Sequence, residues 1–581
     1  MLGKVCREIV QSLCDGTFGR SYLSSPDQQV WRACFSGLVH AGWSSLECAF
    51  LLHDWVVKTM RSRGWLFVAR VMKEVTHNVR CASLRCAYGT VFGFPDRISD
   101  TLCKLAWKNA TNGFAFSRLS RALPLPPKGA AVEALRRAKE LAKTKNSTSE
   151  WALRSLREFI VSRKGDMSPL RVPQALPSSA SSCFELSRAQ GGIDGYLHGL
   201  GISVVLKCKD CFALPPGRVA ESTVFNLTHG LKVYAQDSLG RFCLRRVRGD
   251  GTFAIADPEV VRCLGVLEAR RIRACGTLKQ SALVRAVCLD APGLKTRVLG
   301  VPCALVFVEG TWCRKSARML PREHCQLNSV TDLPQRFRTQ LRGSRLFASL
   351  DLSRATDGLN HDAVEEVINT LHSVGRVRSG DMTNVLWGMG IYPSSTWRSS
   401  QVGDWYSRRG SPMGTPMSFV VLSWINAWAC QAFETAITFG DDAVGVALPG
   451  QQEEYTTAVE AVGGSVNDTK TFVSSRGFTF CEQMARVSFP GGDLRKTGKV
   501  ILCAVPPCAS PVTRVAPECA PGLSPWMACR QERSTKALFR GCHLDPRLHL
   551  PVQVGGLGYL GRGLAVGASL RRRLGTAVSR G

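Results

Sequence analysis

The order of apolar and polar positions along this chain predicts a helical first part followed by alternating strands and helices. Residues 1 to about 120 set apolar stretches between basic ones in a helical pattern, and Pro124, Pro126, Pro127 and Gly129 then break it. Ala130 to Lys143 reads as an Arg- and Lys-rich helix. A second helix is expected from the capping sequence Ser147 to Glu150, burying Leu153, Leu156 and Ile160. Pro169, Pro173, Pro177 and several serines punctuate the chain again before Ser182. From about residue 200 short β-like runs alternate with helices, and no internal repeat is visible. The tail from about 490 is rich in Pro, Gly and Arg and ends in Arg571, Arg572 and Arg573.

Four segments have a sharper pattern. In RLFASLDLSRATDGLN, Leu346, Ala348 and Leu350 alternate with Phe347, Ser349 and Asp351, the period of a half-buried strand that ends at Asp351. A turn from Ser353 to Asp357 follows, then a helix with Val364, Val367, Ile368 and Leu371 at helical spacing. In ITFGDDAVGV, Asp441 and Asp442 separate two apolar β runs and read as the tip of a hairpin. Between these two segments, Met417 to Phe433 reads as a buried helix; Ser418, Ser423, Asn426 and Gln431 make it too polar for a membrane span. Upstream, APGLKTRVLGVP places Lys295 and Arg297 on one face of a strand.

Composition narrows the partners. The chain has 581 residues, 45% of them hydrophobic, enough to bury a core of several subdomains, so disorder is not the expected state. Its 75 Lys and Arg against 45 Asp and Glu give a formal charge of +30, which attracts phosphate backbones; a merely soluble basic surface is the plainer explanation. The start, MLGKVCREIV, lacks the pattern of a signal peptide, so an intracellular chain without stable membrane insertion is expected. The 24 cysteines are scattered and read as reduced thiols, and the lone C-x-x-C of Cys208 and Cys211 has no partner pair to complete a zinc site.

Carboxylates at a strand end and a hairpin tip suit divalent cations. Phosphoryl transfer to a hydroxyl uses two such ions, and Mg²⁺ takes hard oxygen ligands while keeping several waters. Asp351 and Asp441 are the candidate principal ligands and Asp442 a supporting one, although for any one Asp taken alone a cap or a surface residue is the commoner explanation. Lys295 and Arg297 suit a triphosphate clamp. Gly410 and Gly414 allow a tight loop able to hold a template, and Ser411, Thr415 and Ser418 offer hydroxyls that could sense a ribose 2′-OH. Lys470 is a candidate proton donor to a leaving pyrophosphate, and a turn follows it at Ser474, Ser475 and Gly477.

In this order the segments resemble the palm motifs of viral RNA-dependent RNA polymerases. The forms DLSRATDGL, GSPMGTP, FGDDAVG and KTFVSSRGFTFCE look most like those of the capsidless ourmia-like (botourmiavirus) and narna-like fungal RNA viruses, over about residues 280 to 490. The resemblance implies an α+β right-hand fold with an antiparallel palm sheet. Its parts would be a helical N-terminal region (1–182), fingers with the clamp (183–345), a palm with an inserted fingers segment (346–490) and a thumb-like basic region (491–581). It also implies two Mg²⁺ or Mn²⁺ ions, nucleoside triphosphates as substrates, and an RNA template and product. Replication would be in the host cytoplasm rather than the mitochondrion. Asp357 takes the family's ribose-reading position, and the turn with Ser475 and Arg476 its primer grip. One departure is Phe419, where many positive-strand polymerases carry an Asn. A reverse transcriptase shares the palm and the metals, and a basic RNA-packaging protein shares the charge; Gly440 and the hydroxyl-rich loop favour RNA synthesis.

Overall fold

The computed structural model is a mixed α+β protein. It describes residues 46–166, 181–207, 258–274, 284–317, 346–377, 396–488 and 499–503, less a few single positions, with isolated residues elsewhere. Cys208, Cys211, Arg571 to Arg573 and most of the region from 491 lie outside the described residues. Among those described, no helix is long and apolar enough to cross a membrane.

The N-terminal part is helical. Helix α1 (Leu46–Ser83) is interrupted at Gly64, whose φ of 76° leaves the helical region. It packs with α2 (Asp96–Lys108) and α3 (Ala110–Ser117) around Leu52, Met72, Val75, Leu102 and Phe116. The prolines before α4 (Ala130–Lys143) do break the chain, and α5 (Glu150–Ser162) buries Leu156 and Ile160, with Leu153 only partly covered. The capping expected from Ser147 is not formed. Ser149 is the N-cap and makes no side-chain bond to the helix. Instead the Thr148 N–H and hydroxyl donate to the Asp362 carboxylate at 2.7 and 2.6 Å, so a long-range acceptor replaces the local one.

Helix α5 shares its core with residues beyond 346, including Leu350, Ile368 and Trp424. A separate cluster joins α6 (Gly192–Lys207), α7 (Pro258–Ala274) and α8 (Ala304–Ala317) through Leu197, Val266, Val308 and Trp312. Strands β1 (Val284–Ala291) and β2 (Lys295–Pro302) form an antiparallel hairpin, extended by β4 (Thr396–Arg398) and β5 (Trp405–Tyr406) in the order β2-β1-β4-β5. Helix α4 covers this sheet through Leu135 and Ala142, beside stacked Trp397 and Trp405.

The central sheet has the order β6-β7-β3-β8, with β3 (Leu346–Asp351), β6 (Thr435–Phe439), β7 (Asp442–Ala447) and β8 (Phe472–Ser474) all antiparallel to their neighbours. On one face Ala348, Leu350, Ala436 and Ala443 pack under α9 (His361–Ser373), α10 (Ser418–Ala429) and α11 (Gln451–Ala461). On the other, Phe347, Ile437, Val444 and Val446 meet Phe478 and Phe480 of β9 (Gly477–Phe480) and Ala485 of β10 (Gln483–Ser488). Strands β9 and β10 pair further with β11 (Lys499–Cys503). Strand β3 is therefore buried on both faces rather than half-buried. Its alternation separates two cores instead of core from water.

Candidate active site

The hairpin of β6 and β7 turns at Gly440 and Asp441. Gly440 has φ 65°, and a Cβ there would lie 2.6 Å from the Phe419 ring, so conformation and space both require glycine. Phe419 thus packs beneath the turn, edge-on to Phe439. The hairpin register puts Asp442 opposite Phe439, and β7 pairs with β3 so that Asp442 faces Asp351 directly. Like charges at opposed positions of a ladder are destabilising. The fold tolerates this one because Lys470 Nζ donates to both Asp351 oxygens at 2.9 and 2.7 Å, and Asn467 Nδ2 donates to Oδ2 at 3.0 Å.

Asp351 is also held by its backbone. Its carbonyl accepts from Asn467 N–H at 2.8 Å, and its N–H donates to Thr471 Oγ1 at 3.3 Å. Asn467, Lys470 and Thr471 thus gather at the strand end, where the N–H groups of Lys470 and Thr471 both donate to the Asn467 carbonyl. Asp441 sits at the exposed tip, but the surrounding protein still strips water from it. That desolvation raises its carboxyl above the usual range; the Asp351 charge adds to the rise, while Lys470 and Arg297 oppose it.

Helix α10 supports the tip from behind. Asn426 is fully buried; its Nδ2 donates to the Gly440 carbonyl at 2.8 Å, and its Oδ1 accepts from the Tyr455 hydroxyl at 2.8 Å. Burial, and after it Cys430 and the three carboxylates, push the Tyr455 hydroxyl upward, so it stays protonated and keeps donating. Neither Asn426 nor Tyr455 stands out in the sequence as part of a site. The available signal was the one amide in a mostly apolar helix, fourteen residues before Gly440. Asn467 was legible only as a neighbour of Lys470.

The glycine-rich loop lies between the β3 turn and the clamp strand. Gly410, with φ 87°, passes so close to the Asp357 backbone that a Cβ would meet its carbonyl at 2.7 Å. Gly414, with φ 110°, approaches the Gly300 carbonyl of β2 in the same way, and Gly300 N–H donates to Met413 O at 2.7 Å. Both glycines are thus used for close approach. The hydroxyls do not behave as expected: Ser411, Thr415 and Ser418 are all buried, Ser411 Oγ donates to Ser418 Oγ at 2.9 Å, and Thr415 Oγ1 bonds Ser418 Oγ at 2.5 Å. They brace the loop from inside and present no open hydroxyl to a ribose. Asp357, whose backbone lies against Gly410, is only partly buried.

Lys295 and Arg297 are both exposed on the same side of β2, and the charge of Arg297 reaches Asp441. Ser475 and Arg476 are exposed at the turn between β8 and β9, where Arg476 N–H donates to Ser474 Oγ at 3.0 Å. The structure thus brings Asp351, Asp441, Asp442, Lys470 and Arg297 into one charged neighbourhood, and the glycine loop touches Asp357 at Gly410 and β2 at Gly414.

Among the described residues no group of three or more His, Cys, Asp or Glu forms a ready metal cage. Mg²⁺ does not need one, since it is commonly held by one or two carboxylates together with substrate phosphates. The opposed Asp351 and Asp442, with the raised Asp441 carboxyl beside them, fit a hard divalent cation, which would relieve the repulsion the ladder imposes. The chain matches no protein family and no curated protein, so these side chains and their spacing are where any functional reading begins.

Proposed function

We propose that this chain is an RNA-directed RNA polymerase of the kind that replicates capsidless fungal RNA viruses, extending an RNA strand from nucleoside triphosphates. The observation that carries this is the pairing of Asp351 with Asp442 across β3 and β7, with Asp441 at the adjoining tip and within the field of Arg297 and Lys470. In this reading the β6-β7-β3-β8 sheet and α9 to α11 are the palm of a right hand, and the β1–β2 clamp belongs to the fingers.

Asp351 and Asp441 would hold two Mg²⁺ or Mn²⁺ ions, with Asp442 in support. When bound, such ions make the attacking 3′-hydroxyl more acidic and stabilise charge on the triphosphate. Lys295 and Arg297 orient that triphosphate. Lys470, which is bonded to Asp351, would give a proton to the leaving pyrophosphate. Asp357 takes the ribose 2′-OH, since the loop hydroxyls are used internally. The Gly410–Gly414 loop and the turn at Ser475 and Arg476 contact RNA.

Template-directed UTP incorporation by the purified full chain, with deoxynucleotides alongside, tests this. Ribonucleotide incorporation that requires a divalent ion is expected. Preference for deoxynucleotides would indicate a reverse transcriptase, and RNA binding without incorporation a packaging protein. Arg297→Ala should raise the nucleotide KM about tenfold or more, because a charge-assisted contact is worth about 1.5 to 3 kcal/mol; an unchanged KM in a folded variant removes Arg297 from the clamp. RNA affinity should fall by roughly three decades between low and physiological salt if about six phosphates are neutralised. A salt-independent affinity would mean that the charge of +30 serves something else.

A further inference from the structure

The N-terminal helical layer is tied to both basic elements of the site. At one contact the turn of the β1–β2 hairpin is tied to the N-terminal layer: Gly293 N–H donates to Leu123 O at 2.8 Å, and Leu294 N–H to Pro124 O at 3.0 Å. Leu294, next to Lys295, packs on the cluster that contains Met72 and Val75. At the other contact, just past the end of α1, Ser474 Oγ donates to Leu84 O at 2.7 Å and Cys86 Sγ to Val473 O at 3.3 Å, beside the strand that follows Lys470. Lys73 lies on α1 between Met72 and Val75 of that cluster, ten residues before Ser83 and so about 15 Å from the end of the helix.

We propose that Lys73 completes a polyphosphate site with Lys295 and Lys470, taking the terminal phosphates of the incoming nucleotide or the departing pyrophosphate from a side that the palm and clamp motifs do not cover. Its surroundings fit an anion. Lys73 is half-buried, and the charged groups that act on it are Lys295, Arg70 and Lys470, all cations. Burial first and those charges next push its ammonium below the usual range, the direction that an arriving polyanion reverses. Lys470 belongs to both neighbourhoods, being bonded to Asp351 and acting on Lys73, which joins this site to the carboxylate cluster. With Lys73 in it, the N-terminal helical layer becomes part of the nucleotide site rather than a separate support.

This assignment rests on the polymerase reading above, and two measurements separate the two. The first is the nucleotide KM and the rate at saturation for full-length Lys73→Gln, Lys73→Met and Lys73→Arg, with RNA affinity measured in parallel. Lys73→Gln and Lys73→Met should raise KM about tenfold at unchanged RNA affinity, and Lys73→Arg should restore most of it. The second is the rise in melting temperature caused by tripolyphosphate, which needs no turnover. That rise should shrink in Lys73→Gln, while the melting temperature without the anion should hold or increase, because a cation has left a group of cations. A purely structural Lys73 would lower the melting temperature without the anion and leave KM alone. Unchanged KM and an unchanged tripolyphosphate shift overturn the site even if the wild type polymerises. Loss of RNA affinity at constant KM overturns it in favour of a backbone contact. A Lys73-dependent tripolyphosphate shift in a wild type that incorporates nothing keeps the anion site and rejects the polymerase.

Discussion

Asp351→Asn and Asp441→Asn should each cut single-turnover incorporation on a preformed primer–template by a hundredfold or more, a barrier increase of about 2.7 kcal/mol. Asparagine keeps the shape of the side chain but not the charge that makes its oxygen a hard ligand. The two variants differ in stability, and that difference separates chemistry from folding. Asp441 is raised by desolvation and by Asp351, so its ionised form opposes folding, increasingly as pH rises through its unfolded pKa toward the folded one. Asp441→Asn should therefore melt no lower than wild type at neutral pH. Asp351→Asn removes the anion that Lys470 and Asn467 hold and should melt somewhat lower. Asp442→Asn should be milder and shift the preference toward Mn²⁺. Because the carboxylates act as one unit, the double variant Asp351→Asn with Asp441→Asn should be little worse than either single one. RNA affinity should survive in all of them. More than about a tenth of wild-type rate in either principal variant, a loss below about 1.4 kcal/mol, would remove that residue from the metal site.

The second large effect belongs to a residue that touches no substrate. Asn426→Leu should lower stability by about 2 to 5 kcal/mol, since it strands the Gly440 carbonyl and the Tyr455 hydroxyl, and a buried polar group without a partner costs about 1 to 3 kcal/mol. Incorporation should fall with it, because the Gly440–Asp441 turn loses its tether. Tyr455→Phe alone should cost less, as the amide keeps its bond to Gly440. The double variant should be less damaging than the sum of the singles by roughly 1 kcal/mol, since the phenylalanine has no hydroxyl to strand. Strict additivity in melting, or full activity in Asn426→Leu, would show that the pair does not support the turn.

The elements that carry the carboxylates were legible because their signals are local. The end of β3, the Gly440 turn and helices α9 and α10 follow from period and punctuation within a few residues. Burial was less legible. The alternation from Leu346 to Asp351 could not show that a second sheet covers the far side of β3, since Phe478 and Phe480 arrive from more than a hundred residues away. Ser411, Thr415 and Ser418 were read by hydroxyl chemistry, but whether a hydroxyl faces a ligand or another hydroxyl depends on how the loop is folded back, and here all three turn inward. Asn426, Asn467 and Lys73 were missed for the same reason: each acquires its role from a partner remote in sequence.

The tie between the N-terminal layer and β8 also bears on how the protein is made. Leu84 and Ser474 are separated by 390 positions, and at about 5 to 20 residues per second a ribosome needs roughly 20 to 80 s to travel that far. Throughout that interval the apolar side chains that later meet Phe472 and Met484, among them Leu84 and Phe114, wait without their native cover. A nascent chain stalled before β8 should consequently expose this surface to chaperones or to its neighbours, so truncated products should aggregate while the full-length chain does not.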